Sequence, residues 1–314
     1  IRDPATGYYE MEVLPSSMTT QRTWNCVLYV DHHNRGSQVF IENALTSILG
    51  TGSENSEGTH WDRYDRNAAA TQQSCFGRPL QTDYGTTLVQ ALGYNAMLWD
   101  SGNLNAFNLI KEDADVLLPW LTFTGLGEHG LYLSGDGIAY SATHEAETEP
   151  SARQLVQDLA GVTIRTTCAT GSFRLPNCPT SGAPHDLTPC VDVDPVNGSP
   201  VADHPARMIG HVGQGNSCPE LRSFDVLSLL TPESGTVTGD ENYVSSVKSA
   251  SHASAVTHAP AKYKIVTDGL SLAHRPDAGT ACDYALGGTT AVAERLNEVL
   301  GFFGYASQSN PLCS

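Results

Sequence analysis

Leu131-Tyr132-Leu133-Ser134-Gly135-Asp136-Gly137 is the stretch that decides the fold. Three apolar residues run straight into a small, acidic cluster set between glycines. Two earlier runs end in the same way: Cys26-Val27-Leu28-Tyr29-Val30 before Asp31-His32-His33, and Ala96-Met97-Leu98-Trp99 before Asp100-Ser101-Gly102. Each run is short and uniformly apolar, as a strand buried on both faces must be, and a helical pattern separates it from the next. The economical reading is a series of βαβ units whose parallel strands direct their carboxyl ends at one crevice, where such sheets hold their ligands. The expected fold class is α/β: a three-layer sandwich with a mostly parallel central sheet, plus a disulfide-rich loop insertion.

Working outward, Ser37 to Leu49 carries Val39, Ile41, Leu45, Ile48 and Leu49 as the apolar face of a helix, stopped by Gly50 and Gly52. His60 to Asp65 reads as a short strand and Thr86 to Leu92 as a short helix. Lys111 to Thr122 predicts a helix with Val116, Leu117, Trp120 and Leu121 buried and Pro119 near its end or at a kink. Pro150 to Ala160 opens on proline and is followed by Gly161, the usual punctuation of a helix. Thr289 to Phe303 predicts a long amphipathic helix with Val292, Leu296, Val299, Leu300 and Phe303 on one face. Ser223 to Leu230 reads as helical, Tyr263 to Thr267 and Ser271 to Ala273 as the last strands, and Ser245 to Ala261 as a surface strand and loop. Residues 1–24 read as an N-terminal arm whose Tyr8 to Leu14 alternates like a strand and can pair with a sheet edge of its own or of a neighbouring molecule. Residues 25–314 read as a single α/β domain carrying a disulfide-stapled insertion at about 165–220.

At 314 residues, 40% hydrophobic and 16% charged, the chain can bury a substantial core. Seventeen Lys and Arg against 34 Asp and Glu give a net charge of −17, which repels nucleic acid and anionic membrane and attracts cations. No nucleic-acid partner is expected. No run approaches the ~20 apolar residues of a membrane span, and no basic-then-apolar signal segment opens the chain. Cys26, Cys75, Cys168, Cys178, Cys190, Cys218, Cys282 and Cys313 form an even set without zinc-finger spacing, which predicts disulfides and an extracellular or cell-surface location. The pairing expected is Cys26 with Cys75, Cys168 with Cys178, Cys190 with Cys218 and Cys282 with Cys313. Asn197-Gly198-Ser199 is a glycosylation sequon followed by Pro200. Ile1 reads as the start of a mature or trimmed product, with an export leader or more of a larger protein expected before it. The chain breaks off after Cys313 in the same manner.

Asp31, His32, His33, Asp100, Ser134 and Asp136 are all expected at the same sheet edge. Asp31, Asp100 and Asp136 would favour a hard cation such as calcium, whereas His32 and His33 would admit zinc or another transition metal. The competing reading is that these residues cap helices and satisfy turn backbone. Ser134, with His144 or His274 as base and Asp100 or Asp136 as orienting acid, gives a hydrolase reading. The Gly-x-Ser-x-Gly elbow is missing, because residue 132 is Tyr and residue 136 is Asp. His129-Gly130 matches the His-Gly of caspase-like and gingipain-like peptidases in residue type, but it precedes its strand and every cysteine is assigned to a disulfide. His144 to Glu147, Asp186, Asp192 and Asp194 lack EF-hand spacing and read as solvated loop charges. Trp24, Trp61, Trp99 and Trp120 read as core or sheet-edge residues rather than a carbohydrate platform.

The succession of strand, helix and strand, then Tyr94-Asn95-Ala96-Met97-Leu98-Trp99-Asp100-Ser101-Gly102, a helix, and His129 through Ala139, resembles the class I glutamine amidotransferase-like fold. It looks most like the divergent secreted form found inside large bacterial extracellular proteins. The late Tyr263 to His274 segment, with Arg295 on the following helix, has a counterpart there, and the resemblance covers roughly residues 24–160 and 262–305. It implies a flavodoxin-like layering and a nucleophilic cysteine on the turn after Ser134. Gly135-Asp136-Gly137 fills that turn without a cysteine, and no His-x-Glu pair follows late in the chain. The expected function is therefore a non-catalytic structural or binding module of a secreted or cell-surface bacterial protein. Its partners would be other subunits or domains of the same extracellular protein, homo-oligomers included. The rival expectation is an extracellular hydrolase using Ser134, Asp136 and a histidine, with or without a metal.

Overall fold

The computed structural model describes residues 27–32, 38–50, 61–66, 75–78, 85–102, 104, 107–125, 127–144, 149–169, 190–196, 199, 201, 207–211, 223–231, 234–243, 253–272 and 289–305. In chain order the elements begin with β1 (Val27–Asp31), α1 (Gln38–Leu49), β2 (Trp61–Asp65), α2 (Leu88–Ala91), β3 (Ala96–Asp100) and α3 (Lys111–Leu121). Next come β4 (His129–Ser134), α4 (Ile138–His144), α5 (Pro150–Arg153) running into a π-helical stretch at Gln154–Leu159, and β5 (Val162–Ala169). The remainder is β6 (Cys190–Pro195), β7 (Arg207–His211), β8 (Ser223–Leu229), β9 (Val237–Tyr243), β10 (Ala253–His258), β11 (Tyr263–Asp268) and α6 (Thr289–Phe303).

The fold is α/β. One sheet runs in the order β2-β1-β3-β4-β11-β10-β9-β6-β7, with β8 joining β10 and β5 joining β8. Its first five strands are mutually parallel, and the strands from β10 onward pair antiparallel. Alternation along the parallel strands builds two cores. Val27, Tyr29, Ala96, Leu98, Tyr132 and Val266 face α1 and α6. Leu28, Val30, Met97, Trp99, Leu131, Leu133 and Ile265 face the other way, against Val116, Leu117, Trp120 and Leu121 of α3. Both faces of the parallel strands are therefore covered, which is why these strands read as unbroken apolar runs.

Local chemistry sets the element ends. Thr87 and Gln90 form a capping box that starts α2. Trp120 sits one residue beyond Pro119 in the last turn of α3, and its Nε1–H donates to the Tyr94 carbonyl at 2.9 Å, tying the helix end to the start of β3. On the opposite face Gly130 of β4 lies under α6, where an added Cβ would stand 2.4 Å from the Phe303 ring.

Several expectations change. Ser223 to Leu230 is strand β8, not helix: seven residues carry either period, and pairing with β5 and β10 decides the outcome. Ser245 to Ala261 is not a surface segment over its β10 part, which is buried along its whole length. Small Ala253, Ser254 and Ala255 let neighbouring strands close over it, and Ser254 and Thr257 satisfy their hydroxyls on Glu241 and Asp240. Ser271 and Leu272 form a turn rather than a strand, and His129 opens β4 instead of preceding it. The expected loop insertion at 165–220 contributes most of β5, all of β6 and all of β7 to the sheet itself, so its described part is sheet rather than loop. Each expected disulfide has at least one cysteine outside the described residues: Cys26, Cys178, Cys218, Cys282 and Cys313. Cys75 is described and buried, and burial with the nearby Asp113 carboxylate pushes its thiol up to about 11. The arm at 1–24, His33, Asp186, Asn197 and His274 also lie outside the described residues. No described helix is long and apolar enough to cross a membrane.

Candidate functional site

The strand register lines up the carboxyl ends. Asp65, Asp31, Asp100, Ser134 and Asp268 stand side by side across β2, β1, β3, β4 and β11. Parallel strands in this register point these side chains to one face, that of α1 and α6. Asp31, Asp100, Ser134 and Asp268 are each no more than 1% exposed. A row of buried carboxylates survives only if its charges are met, and two arginines meet the ends of the row. Arg63 spans Asp31 at 3.2 Å, Asp65 at 2.5 Å and Glu42 of α1. Arg295 of α6 grips Asp268 through Nη2 at 2.6 Å and Nε at 3.1 Å, and Tyr132 donates its hydroxyl to the same carboxylate at 2.6 Å. Burial alone would lower the Arg295 pKa, but the Asp268 and Glu241 carboxylates outweigh it and hold the guanidinium well above its ordinary value.

The middle of the row is closed by the turn after β11. Ser134 Oγ lies 3.1 Å from Asp100 Oδ1 and 3.1 Å from the Leu270 carbonyl, so its one proton is divided between two acceptors. The Leu272 N–H donates back to Ser134 Oγ at 3.2 Å. Ser271 donates its hydroxyl to Asp100 at 3.1 Å and its N–H to Asp136 at 2.9 Å. Across the opening, the Ser101 hydroxyl and N–H both reach the Ser134 carbonyl, and the Asp136 N–H reaches the Gly102 carbonyl. Gly135 is needed for this closeness, because a Cβ there would stand 1.9 Å from Ser101 Oγ.

The first turn of α4, where a nucleophile elbow would hold an oxyanion, is occupied from within. The Ala139 and Tyr140 N–H groups both donate to Asp225 Oδ2 at 2.8 Å. That carboxylate comes from β8 and sits where unpaired amides and the helix dipole favour negative charge.

His32 does not join the row. Its ring packs edge-on to Trp99 at 5.8 Å and contacts Arg66, on the α3 side of the sheet. Strand alternation separates it from Asp31, so His32 and Asp31 do not share a site, and His33 lies outside the described residues. Arg66 in turn pairs with Asp113 at 3.0 Å, and Asp113 accepts the Phe76, Gly77 and Ile110 N–H groups. Burial pushes the Asp113 carboxyl above its ordinary value against the pull of Arg66 and these amides. His144 is at the far end of α4, stacked on Tyr140 at 3.9 Å with Nδ1 3.2 Å from the Tyr140 carbonyl. Ser134 and His144 thus have different hydrogen-bond partners and do not meet, while the other expected base, His274, lies outside the described residues.

Calcium would need six to eight oxygens, and the carboxylates here are already engaged by guanidinium, hydroxyl and amide donors. Among the described residues no group of three His, Cys, Asp or Glu stands together as a metal site. The donor set of the described residues does not fit the ion. Three members of the row, Asp31, Asp100 and Ser134, were legible as the ends of apolar runs. Asp268-Gly269 closes Tyr263 to Thr267 by the same rule and could have been found by it. Ser271, Asp225, Arg63 and Arg295 had no local signal, since each reaches the site from a distant element.

The architecture defines an α/β protein with parallel strands, covered faces and a polar row at the strand ends. No protein-family model matches the chain, and no curated protein matches it by sequence. Among solved structures it is similar to a putative ThuA-like protein from Parabacteroides merdae, at 11% identity and a TM-score of 0.45, over 91% of this chain and 92% of that one. It is also similar to a cytoplasmic protein from Salmonella typhimurium LT2, at 9% identity and a TM-score of 0.43, over 89% of this chain and 96% of that one. A carbohydrate deacetylase, Agd3, shares 9% identity at a TM-score of 0.40, over 79% of this chain and 30% of that one.

Proposed function

We propose that this chain is a non-catalytic structural or binding module of a secreted or cell-surface bacterial protein, its polar strand ends serving to lock the fold. The observation that supports this reading is the fate of Ser134: buried, sharing its proton between Asp100 and the Leu270 carbonyl, and accepting the Leu272 N–H. A nucleophile needs a base in reach and an approach for substrate. Among the described residues Ser134 meets a carboxylate and a backbone carbonyl rather than a histidine, and the amides that would stabilise an oxyanion are held by Asp225. The acidic net charge of −17 suits a partner with basic or neutral surface and disfavours anionic ones.

The test compares the wild-type chain with Ser134→Ala for hydrolysis of activated esters, phosphoesters and aryl glycosides, alongside urea unfolding of both. The expected result is no turnover by either protein and a lower unfolding midpoint for the variant. Turnover by the wild type that Ser134→Ala abolishes would establish the hydrolase instead.

A further inference from the structure

The described residues surround a cavity of about 500 Å³ at the end of the sheet opposite the carboxylate row. Tyr263, which lines it, is the first residue of β11 and stands opposite His129, the first residue of β4. One wall is the π-helical stretch, closed by the Ala160 N–H on the Leu155 carbonyl at 2.9 Å. Such wide turns are rare and recur at functional sites. Gln154, Gln157 and Asp158, spaced three and four apart, come to the cavity from that wall. The facing wall carries Leu230 and Thr231, directly after β8, and Ser234.

The floor is braced. His258 from β10 places Nδ1 against the Leu159 carbonyl and Nε2 2.8 Å from the Ser234 carbonyl, linking the two walls. Its ring meets Tyr263 edge-on at 5.9 Å, and the Tyr263 hydroxyl lies 3.5 Å from the same Leu159 carbonyl. Gln157 is oriented by Arg153 at 3.1 Å and Thr163 at 3.3 Å. The side chains of Gln154, Asp158 and Thr231 are exposed and make no hydrogen bond to another described residue. The cavity therefore combines a fixed floor of Leu159, Leu230 and the Tyr263 ring with an uncommitted rim of amide, carboxylate and hydroxyl groups.

These groups select a ligand by chemistry. Among the described residues no Lys or Arg lines the cavity, and the Asp158 carboxylate at its rim opposes an anion. The rim is too polar for a lipid or a flat apolar molecule. A ring bearing several hydroxyls, each both donor and acceptor, matches the mixed rim while its C–H face lies on the apolar floor. We propose that this cavity binds an uncharged saccharide of one or two rings, a site separate from the strand-end row and independent of its reading.

Saturation-transfer NMR on the full chain with glucose, galactose, mannose, N-acetylglucosamine, cellobiose, lactose and N,N′-diacetylchitobiose tests it. At least one of these sugars should bind saturably with a Kd in the millimolar range or tighter. Gln154→Ala and Asp158→Ala should each weaken that binding about tenfold or more, roughly 1.4 kcal/mol, with an unchanged Tm because both side chains are exposed. Thr231→Val, on the other wall, gives a second reading that does not depend on the π-helical stretch. Absence of saturable binding across the panel, or binding that all three variants leave intact, overturns the proposal.

Discussion

Ser134 shows how a residue of catalytic type is absorbed into structure. Its hydroxyl uses its donor and acceptor capacity within the row, so Ser134→Ala leaves the Leu272 N–H without its acceptor and Asp100 short of a donor. The expected cost is about 1–3 kcal/mol of unfolding free energy, measured by urea denaturation; a change within 0.5 kcal/mol, roughly the surface-substitution range, would show that these bonds contribute little. Asp240 makes a pH prediction. Burial pushes its carboxyl up from 3.8 to about 7, against the lowering effects of Arg295 and Ser199. A carboxyl raised in the folded state favours its neutral form, so its contribution to stability is fully present below pH 3.8 and is lost as pH rises through about 7. Asp240→Asn keeps an acceptor for Ser199 and Thr257 and removes the titration. Its urea midpoint, relative to wild type, should rise progressively from pH 4 to pH 8, and a constant difference across that window would contradict the assignment. At this scale the sequence revealed which residues end strands, because an apolar run that stops at Asp or Ser is a local pattern. It did not reveal Arg63 or Arg295 as their counterions, because pairing across elements leaves no local mark.

Elements were legible where their period was long and their ends punctuated. The twelve residues of α1, the fifteen of α6 and the eleven of α3 each hold an apolar face over several turns, and all three were read from sequence. Strand β8 was misread because seven residues with Asp225 inside an apolar set fit either period. Asp225 proves to be the cap of another element: its carboxylate holds the Ala139 and Tyr140 N–H groups of α4 from 86 and 85 residues away. Replacing it with alanine returns two amides to an unpaired state at the buried start of a helix. Asp225→Ala should cost roughly 1–2 kcal/mol by analogy with N-cap losses, and Asp225→Asn, which keeps an acceptor oxygen, should recover part of that. Equal stability of wild type and alanine variant in guanidinium denaturation would show that the cap is energetically idle.

Across the whole molecule, one continuous sheet puts two polar regions at opposite ends of its parallel strands. The row at the carboxyl ends is buried and internally bonded, whereas the cavity at the amino ends keeps exposed polar groups uncommitted. Fold class followed from the three apolar runs alone, since burial on both faces dictates their composition. The antiparallel extension did not, because its strands carry Ser, Thr, Asp and Gly among their apolar residues and take their identity from pairing. The central claim, that the strand-end network is part of the closed fold, is tested most directly by native-state hydrogen exchange at the Ser271, Leu272, Ala139 and Tyr140 amides. The account predicts that all four exchange only with an opening free energy close to that of global unfolding, as amides in the core strands do. Exchange at those amides with a small, local opening energy, while β3 and β4 remain protected, would mean that the crevice opens in the native protein and would contradict the claim.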